Sequence, residues 1–172
     1  WLMMSLWDAL RMNMMISYQE LVRTFLKQET ELQFPSFSNT AALALGTILT
    51  QEAIKNDYPV VIDISRCDQQ IYYFANTGSS PDNEEWIKRK KKVTNRFRHS
   101  SLLMRLKLTE SFNQNAVSLD SSYALSGGCF PVNVKDIGQI GTVCVSGLPD
   151  NEDHNLVVSA IRLFLNSHKQ QL

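Results

Sequence analysis

Two groups of residues in this chain have side chains that could bind or transform a small molecule. The first is the pair Asp153 and His154, which follows the turn Gly147-Leu148-Pro149 at the start of the last predicted helix. Free backbone N–H groups at a helix start attract anions and oppose the protonated form of a nearby histidine. His154 is therefore a candidate proton carrier or metal ligand. The competing interpretation is structural, with Asp153 capping the helix and His154 packing inside the protein.

The second group is a basic stretch in a predicted helix that opens near Asp82. Its basic residues are Lys88, Arg89, Lys90, Lys91, Lys92, Arg96 and Arg98. Arg89 offers a planar guanidinium group to a carboxylate or phosphate, while Trp86 and Phe97 would anchor the helix through their rings. A solvated helix face balanced by acidic residues elsewhere is the competing interpretation. Nucleic acid is the weakest candidate ligand, because no nucleic-acid motif accompanies the run.

Other reactive side chains do not form a recognised catalytic motif. Ser100, Ser101 and Ser146 are candidate nucleophiles, but the G-x-S-x-G elbow of serine hydrolases is absent. The three histidines and three cysteines lack the paired short spacing of a zinc site, so we expect no metal. The catalytic residues stay unidentified, and the sequence leaves open whether the protein is an enzyme.

Hydrophobic periodicity predicts the helices that hold these residues. Ser17 and Glu20 form a capping box that opens a helix ending before Pro35. A second helix starts at residue 38 or 39 and stops at the Asn-Asp-Tyr-Pro sequence of residues 56–59. Further along, we expect a helix from residue 82 to about residue 104, a loop at 106–118, a helical turn at 120–125 and a last helix from Asp150.

Runs of β-branched and aromatic residues predict two hairpins. The first joins residues 60–64 to residues 71–74, and the second joins residues 129–134 to residues 140–145. Each hairpin is followed by a helix, and no segment requires a parallel crossover. The predicted fold class is α/β of the α+β type, with an antiparallel sheet built from two hairpins, flanked by helices and preceded by N-terminal helices. We expect a helical extension at residues 1–16 and one domain at residues 17–172.

The composition restricts the environment and the partners. Seventeen basic and seventeen acidic residues give a formal charge of +0, so the whole molecule has no bias toward nucleic acid or an anionic membrane. No apolar run approaches the roughly 18 residues of a membrane span. Cys67, Cys129 and Cys144 are an odd number in a chain too long to need a disulfide framework, which favours three free thiols and a cytoplasmic location. Cys129 and Cys144 would face each other if Asp136 and Ile137 were the central residues of the second turn.

Two segments carry a resemblance to a known family. The first reads PDNEEWIKRK at residues 81–90 and continues with Arg96-Phe97 and His99-Ser100-Ser101. The second reads GGCFPV at residues 127–132, then GTVCVSGLP at residues 141–149 and EDH at residues 152–154. Together they resemble an uncharacterised branch of the haem-degrading-domain family, the HbpS-like and GlcG-like proteins. The nearest departure is Cys129, where small residues are more usual.

The resemblance implies a profilin-like, HbpS-like fold and a symmetric homo-oligomer, and it makes haem the cofactor that the protein could bind. Large apolar residues among positions 1–16 also favour self-association. The candidate ligand-binding residues in the two segments are Asn83, Trp86, Arg89, Lys90, Ser100, Asp153 and His154.

Two functions compete at this point. In the first, an oligomeric pocket protein binds haem or another anionic small molecule where the start of the basic helix meets the start of the last helix. Arg89→Ala and His154→Ala should both weaken binding of that ligand, and both should leave folding nearly intact, since neither residue is expected on the main apolar stripe. In the second, a non-enzymatic oligomeric adaptor uses the basic helix and its aromatic residues to contact its partners.

Overall fold

The structure, a computed structural model, describes residues 6–67, 69–110 and 119–169. Its helices are α1 (Leu6–Glu31), α2 (Asn39–Lys55), α3 (Pro81–Phe97), α4 (Ser101–Glu110) and α5 (Asp150–Lys169). Its strands are β1 (Val61–Arg66), β2 (Gln69–Ala75), β3 (Cys129–Val134) and β4 (Gly138–Ser146). The strands form one antiparallel sheet in the order β2-β1-β4-β3, which confirms the predicted α+β architecture of two hairpins flanked by helices.

Side chains alternate between the two faces of the sheet and define three layers. Ile62 and Ile64 join the main core, which α2 and α5 cover. Val61 lies on the opposite face, where it packs with Ile87 of α3. The sheet is therefore the middle layer, with α2 and α5 on one side and α3 on the other. None of the helices in the described ranges is long and apolar enough to cross a membrane.

Local sequence signals set the starts of α2, α3 and α5. Ser38 caps α2, since its hydroxyl oxygen accepts the N–H of Ala41 at 3.1 Å. Ser80 precedes α3, and its backbone N–H donates to Asn83 Oδ1 at 2.8 Å. α5 starts at Asp150, immediately after the turn that ends β4. The predicted starts of α2 and α5 are confirmed.

Several other predicted helix boundaries are wrong. α1 begins at Leu6, and the predicted start at residue 17 lies inside it, because the Leu, Met and Ala residues before the capping-box pattern are good helix formers. The helix predicted to reach residue 104 ends at Phe97, since Arg98 adopts a left-handed conformation with φ of 57°. α4 then extends to Glu110, into the predicted loop, of which residues 111–118 lie outside the described residues. Residues 120–125 contain a tight turn and no helix.

The second hairpin overturns the expectation of three free thiols. Cys129 lies opposite Cys144, and their sulfur atoms form a disulfide bond. The turn occupies residues 135–137, and a bulge between Val132 and Asn133 shifts the pairing so that the two cysteines meet. Cys67 is free and exposed. The pairing of these cysteines could not be predicted from the sequence, because it depends on a bulge that no residue pattern indicates.

Thiol counting tests this arrangement directly. Denatured, unreduced protein should react with one equivalent of a thiol reagent, at Cys67, and reduced protein should react at all three cysteines. The double variant Cys129→Ser/Cys144→Ser is the control, because it should give one equivalent with or without reduction. Three equivalents before reduction of protein purified under air would contradict the disulfide.

Candidate functional site

A buried ion pair joins the basic helix α3 to the start of α5, the two helices that the sequence singled out. Lys90 on α3 and Asp153 on α5 have side chains that are 2% and 1% exposed, and Lys90 Nζ lies 2.9 Å from Asp153 Oδ2. The ammonium group also donates to the carbonyl oxygen of Val145 at 3.2 Å. Burying two charges is unfavourable unless they are paired and hydrogen-bonded, and both conditions are met here.

Asp153 also fixes the turn between β4 and α5. Its Oδ1 accepts the N–H of Leu148 at 3.0 Å, and the N–H of Gly147 donates to the same carboxylate. Gly128 allows the ion pair to lie against the sheet, because a Cβ there would be 2.8 Å from Asp153 Cβ and 3.0 Å from Lys90 Nζ. Gly128 also has a φ of 111°, which other residues rarely adopt. Any side chain at this position would push the pair apart.

The surroundings bring the titration of Asp153 close to neutral pH. Burial raises the pKa of the Asp153 carboxyl to about 6, although the charge of Lys90 and the N–H groups of the turn oppose this effect. A fraction of the molecules therefore carries a neutral Asp153 at mildly acidic pH. In those molecules the positive charge of Lys90 is free to attract another anion.

A cavity of about 210 Å³ opens beside the pair, and we call it the α3–α5 pocket. It is lined by Asn83, Trp86, Lys90, Ser126, Ser146, Gly147, Leu148, Asp150 and Asp153. Among the described residues, neither the amide nitrogen of Asn83 nor the hydroxyl of Ser146 has a hydrogen-bond partner, although the Asn83 oxygen is bonded to Ser80. These two donors are therefore available to a ligand in the pocket.

The charges around the pocket leave it receptive to an anion. Asp153 is paired with Lys90, and Asp150 is paired with Arg105, so both carboxylates in the lining are neutralised. The guanidinium group of Arg89 lies over the Trp86 ring, 4.1 Å from its centroid, and places a further positive charge near the rim. Such a pocket can hold a small anion through N–H and O–H donors, with an aromatic wall along one side.

The structure separates the candidate residues into two groups. Asn83, Trp86, Lys90 and Asp153 line one pocket, so the two helix starts do meet, and Arg89 is beside them. The remaining candidates, Ser100 and His154, lie elsewhere in the protein and do not line it.

The expectation that His154 lies off the apolar stripe is wrong. His154 is 1% exposed and belongs to the buried face of α5, where its ring meets Phe25 edge-on with centroids 5.0 Å apart. Its Nε2 lies 3.0 Å from Gln28 Oε1, and its Nδ1 has no partner within the described part of the chain. Burial lowers the pKa of His154 to about 4, against a smaller opposing effect of Glu29. His154 is therefore neutral at neutral pH and packs α5 against α1.

Ser100 anchors α1 to the segment between α3 and α4. Its backbone N–H donates to Glu29 Oε1 at 2.7 Å, and Glu29 Oε2 lies 2.6 Å from His99 Nδ1. Ser101 is also engaged, since its hydroxyl donates to the carbonyl oxygen of Cys129 at 3.3 Å. Of the three serines considered as nucleophiles, only Ser146 lines the pocket. No cluster of three or more potential metal ligands occurs within the described ranges.

Three polar residues of the pocket, Ser126, Ser146 and Asp150, were not among the predicted site residues. Ser126 lies in the loop before β3, where its hydroxyl donates to Asp150. Ser146 was considered only as a nucleophile, but it ends β4 directly before the turn that Asp153 holds. The only feature of the sequence that could have identified Ser146 is its position between the predicted strand and the Gly-Leu-Pro turn. Hydroxyl donors at a strand end and in a loop, such as those of Ser146 and Ser126, occur at no fixed spacing in a sequence.

The pKa of His154 gives a stability prediction that can be checked by pH. Unfolded chains take up a proton at this histidine near pH 6.5, whereas the folded protein resists until about pH 4, so its contribution to stability is lost as pH falls through that window. His154→Gln removes this loss. The difference in unfolding free energy between wild type and His154→Gln, measured in urea, should shrink by about 2–3 kcal/mol between pH 7 and pH 4.5.

The titration of Asp153 does not affect the difference in unfolding free energy between wild type and His154→Gln. Its raised pKa acts in the opposite direction, since the folded state holds a proton that the unfolded chain has released between pH 6 and pH 3.8. Both proteins contain Asp153, so its effect cancels in the difference. A difference that stays constant with pH would show that His154 titrates normally and is not buried.

Comparison with known proteins identifies relatives of the whole domain. Residues 37–162 match the family described as "Haem degrading protein HbpS-like". A UPF0303 protein of Streptomyces coelicolor is 43% identical over 142 residues, which cover 81% of this chain and 90% of that protein. A UPF0303 protein of Acidobacterium capsulatum is 41% identical over 149 residues, covering 85% of this chain and 90% of that protein.

Solved structures give the same relationship. The Ybr137w protein superposes with a TM-score of 0.77 at 29% identity, covering 86% of this chain and 88% of that one. HbpS superposes with a TM-score of 0.60 at 16% identity, and the protein titled "PduOC:Heme Complex" with 0.59 at 16%. These two cover 77% and 74% of this chain, and 92% and 94% of their own, and they show the shared fold. With nearly three quarters of its length matched by the family and relatives above 40% identity, the chain belongs to the HbpS-like haem-degrading family.

Proposed function

We propose that the protein is a homo-oligomer that binds a small anionic molecule in the α3–α5 pocket. The observation that carries the proposal is the cavity itself, in which Lys90 is held in place by Asp153 while Asn83 and Ser146 offer unpaired donors. We also propose a cytoplasmic location, as expected from the sequence. The Cys129–Cys144 disulfide removes the part of that expectation that relied on three free thiols.

The size and lining of the pocket favour a compact ligand. Typical drug-sized ligands occupy pockets of about 300–1,000 Å³, and this cavity of about 210 Å³ is smaller. Its donors are an ammonium group, an amide and a hydroxyl, which suit the oxygen atoms of a carboxylate, sulfate or phosphate group. Trp86 gives the same ligand an apolar surface to lie against. A short carboxylate or a phosphate-bearing fragment is the class of ligand that these residues support.

Haem, the cofactor suggested by the family, does not fit the residues that line the α3–α5 pocket. A haem iron needs a histidine, cysteine, methionine or tyrosine ligand, and none of these lines the α3–α5 pocket. A larger cavity of about 410 Å³ contains Tyr58, but Glu52 and Glu152 line it and would repel the haem propionates. His154 is enclosed between α1 and α5. No step of the proposed function therefore passes through haem.

The homo-oligomer is supported by the surface of α2 and α5. Large apolar side chains are exposed there: Leu43 is 56%, Ile54 is 55% and Leu163 is 58% exposed. Covering these side chains with a second copy of the chain would remove their apolar surface from water, which favours association.

Fluorescence of Trp86 can report on the pocket. Replacing Trp1 and Trp7 by Phe leaves Trp86 as the single tryptophan of the chain. Oxalate and sulfate should each produce a saturable change in its emission, and Ser146→Ala should weaken binding about tenfold, because a hydrogen bond to a charged ligand is lost. Ser121→Ala, at an exposed position outside the pocket, is the matched control and should leave the affinity unchanged.

A parallel titration with haemin distinguishes binding of a small anion from binding of haem. The anion-site proposal fails if neither anion gives a saturable response, or if Ser146→Ala and Ser121→Ala bind equally well. A saturable Soret shift that Ser146→Ala leaves unchanged would assign haem to a different site.

The affinity for sulfate should increase as the pH falls from 7.5 to 5.5. Sulfate remains a dianion across this range, whereas Asp153 gains a proton near pH 6 and stops competing for Lys90. Binding is therefore accompanied by proton uptake, and the increase is limited to about tenfold per pH unit. In Asp153→Asn, with folding verified by circular dichroism, the affinity should vary little over the same range. A wild-type affinity that decreases on acidification would refute the competition between Asp153 and the ligand.

A further inference from the structure

An open groove lies between α2 and α5, on the side of the sheet opposite α3. We define the α2–α5 groove by the residues Ile48, Glu52, Tyr58, Leu148, Glu152 and Leu163, which line a cavity of about 410 Å³. Its floor is apolar, two carboxylates lie in its lining, and no lysine or arginine lines it. Glu52 accepts a hydrogen bond from the neutral amide of Asn56, so its charge is not compensated. A partner for this groove must combine apolar surface with positive charge.

The chain itself carries such a surface on α3. Seven of its seventeen basic residues fall between residues 88 and 98. Three of them are neutralised within the chain, because Lys88 pairs with Glu84 and Glu85, Lys90 with Asp153, and Lys91 with Asp63. The other four, Arg89, Lys92, Arg96 and Arg98, are in none of the ion pairs found among the described residues.

Aromatic rings lie beneath two of these four cations, of which Arg96 also interacts with the nearby carboxylate of Asp120. The guanidinium carbon of Arg89 is 4.1 Å from the centroid of the Trp86 ring, and that of Arg96 is 5.3 Å from the ring centroids of Phe97 and Tyr123. We call the set Trp86, Arg89, Lys92, Arg96 and Tyr123 the basic-aromatic face. The chemistry of this face is complementary to that of the groove. The aromatic rings could pack against the apolar floor, and the cations could pair with the two carboxylates.

The groove and the basic-aromatic face cannot meet within one molecule, because the sheet separates α3 from α2 and α5. The net charge of the chain is zero, although positive charge is concentrated on α3. Two copies therefore do not repel each other as whole molecules, and the basic surface of one can pair with the acidic groove of the other. We infer that the basic-aromatic face of α3 in one copy docks into the α2–α5 groove of a second copy. This inference rests on the proposed homo-oligomer and names its contact surface.

The contact joins two different surfaces, so it is heterologous. Such contacts close into a ring when the rotation between neighbours allows, and otherwise they extend into a filament. Because Trp86 and Leu148 also line the α3–α5 pocket, docking would take place at the edge of the proposed ligand site.

Charge reversal on each surface provides the test, with mass measured by light scattering or analytical ultracentrifugation. The groove variant Glu52→Lys/Glu152→Lys should fall to the 19.6 kDa of a single chain, because both docking surfaces are then positive. The face variant Lys92→Glu/Arg96→Glu should fall to the same mass, because both surfaces are then negative. The matched control Glu20→Lys/Glu31→Lys, at exposed positions on α1, should keep the wild-type mass.

Restoration of the assembly identifies the direct contact. The chain with all four substitutions has a positive groove and a negative face, so it should regain the wild-type mass. An equimolar mixture of the groove and face variants should form hetero-oligomers heavier than 19.6 kDa, in which the two variants alternate. A monomeric wild-type protein would end both the homo-oligomer proposal and this inference. An oligomer that survives in the groove and face variants, or that the quadruple variant fails to restore, would end only the inference.

Discussion

The ion pair between Lys90 and Asp153 is the interaction on which the arrangement of this domain depends most. It connects α3 to the end of β4 and to α5 at one buried point, although Lys90 lies 55 residues before Val145 and 63 residues before Asp153 in the chain. Removing one member of such a pair leaves an uncompensated buried charge and typically destabilises a protein by about 3–5 kcal/mol. A pair of well-packed apolar residues could serve stability equally well. What an apolar pair could not do is hold an ammonium group beside a polar cavity.

Five consecutive basic positions on α3, Lys88 to Lys92, show how much of this could be predicted from sequence. The sequence left two interpretations of this run open, a solvated helix face and an anion site, and the structure shows that its members have different surroundings. Successive residues on a helix differ by about 100° in direction. As a result Lys88 pairs with surface carboxylates, Lys90 with Asp153, and Lys91 with Asp63 on β1, at 2.9 Å. The sequence predicts that charge is concentrated here, but the direction of each side chain depends on which face packs on the sheet.

The predicted fold was more accurate than the predicted site for a related reason. Hairpins, layers and most strand positions follow from local patterns of apolar residues, and these patterns also carry the family resemblance. The positions of His154 and Ser100 depend on contacts with α1, which is more than seventy residues away in sequence. The motif that contains His154 was read as a ligand site, although the residue is buried against Phe25 and Gln28. A motif residue can be common to a family because it packs in the core and not because it binds a ligand. The sequence of one chain does not distinguish these two roles.

The turn from Gly147 to Pro149 is where the demands of folding, ligand binding and assembly coincide. Asp153 holds the backbone of this turn, while Leu148 lines both the α3–α5 pocket and the α2–α5 groove. Gly147 has a φ of 149°, and a Cβ there would lie 2.8 Å from the Cα of Val60, so the turn is also pressed against the start of β1. If the proposed ligand competes for Lys90, it would weaken the contact between Lys90 and Asp153, whose carboxylate also accepts the N–H of Leu148. Because Leu148 lines both the pocket and the groove, the proposed ligand site and the proposed docking surface share the turn that Asp153 holds.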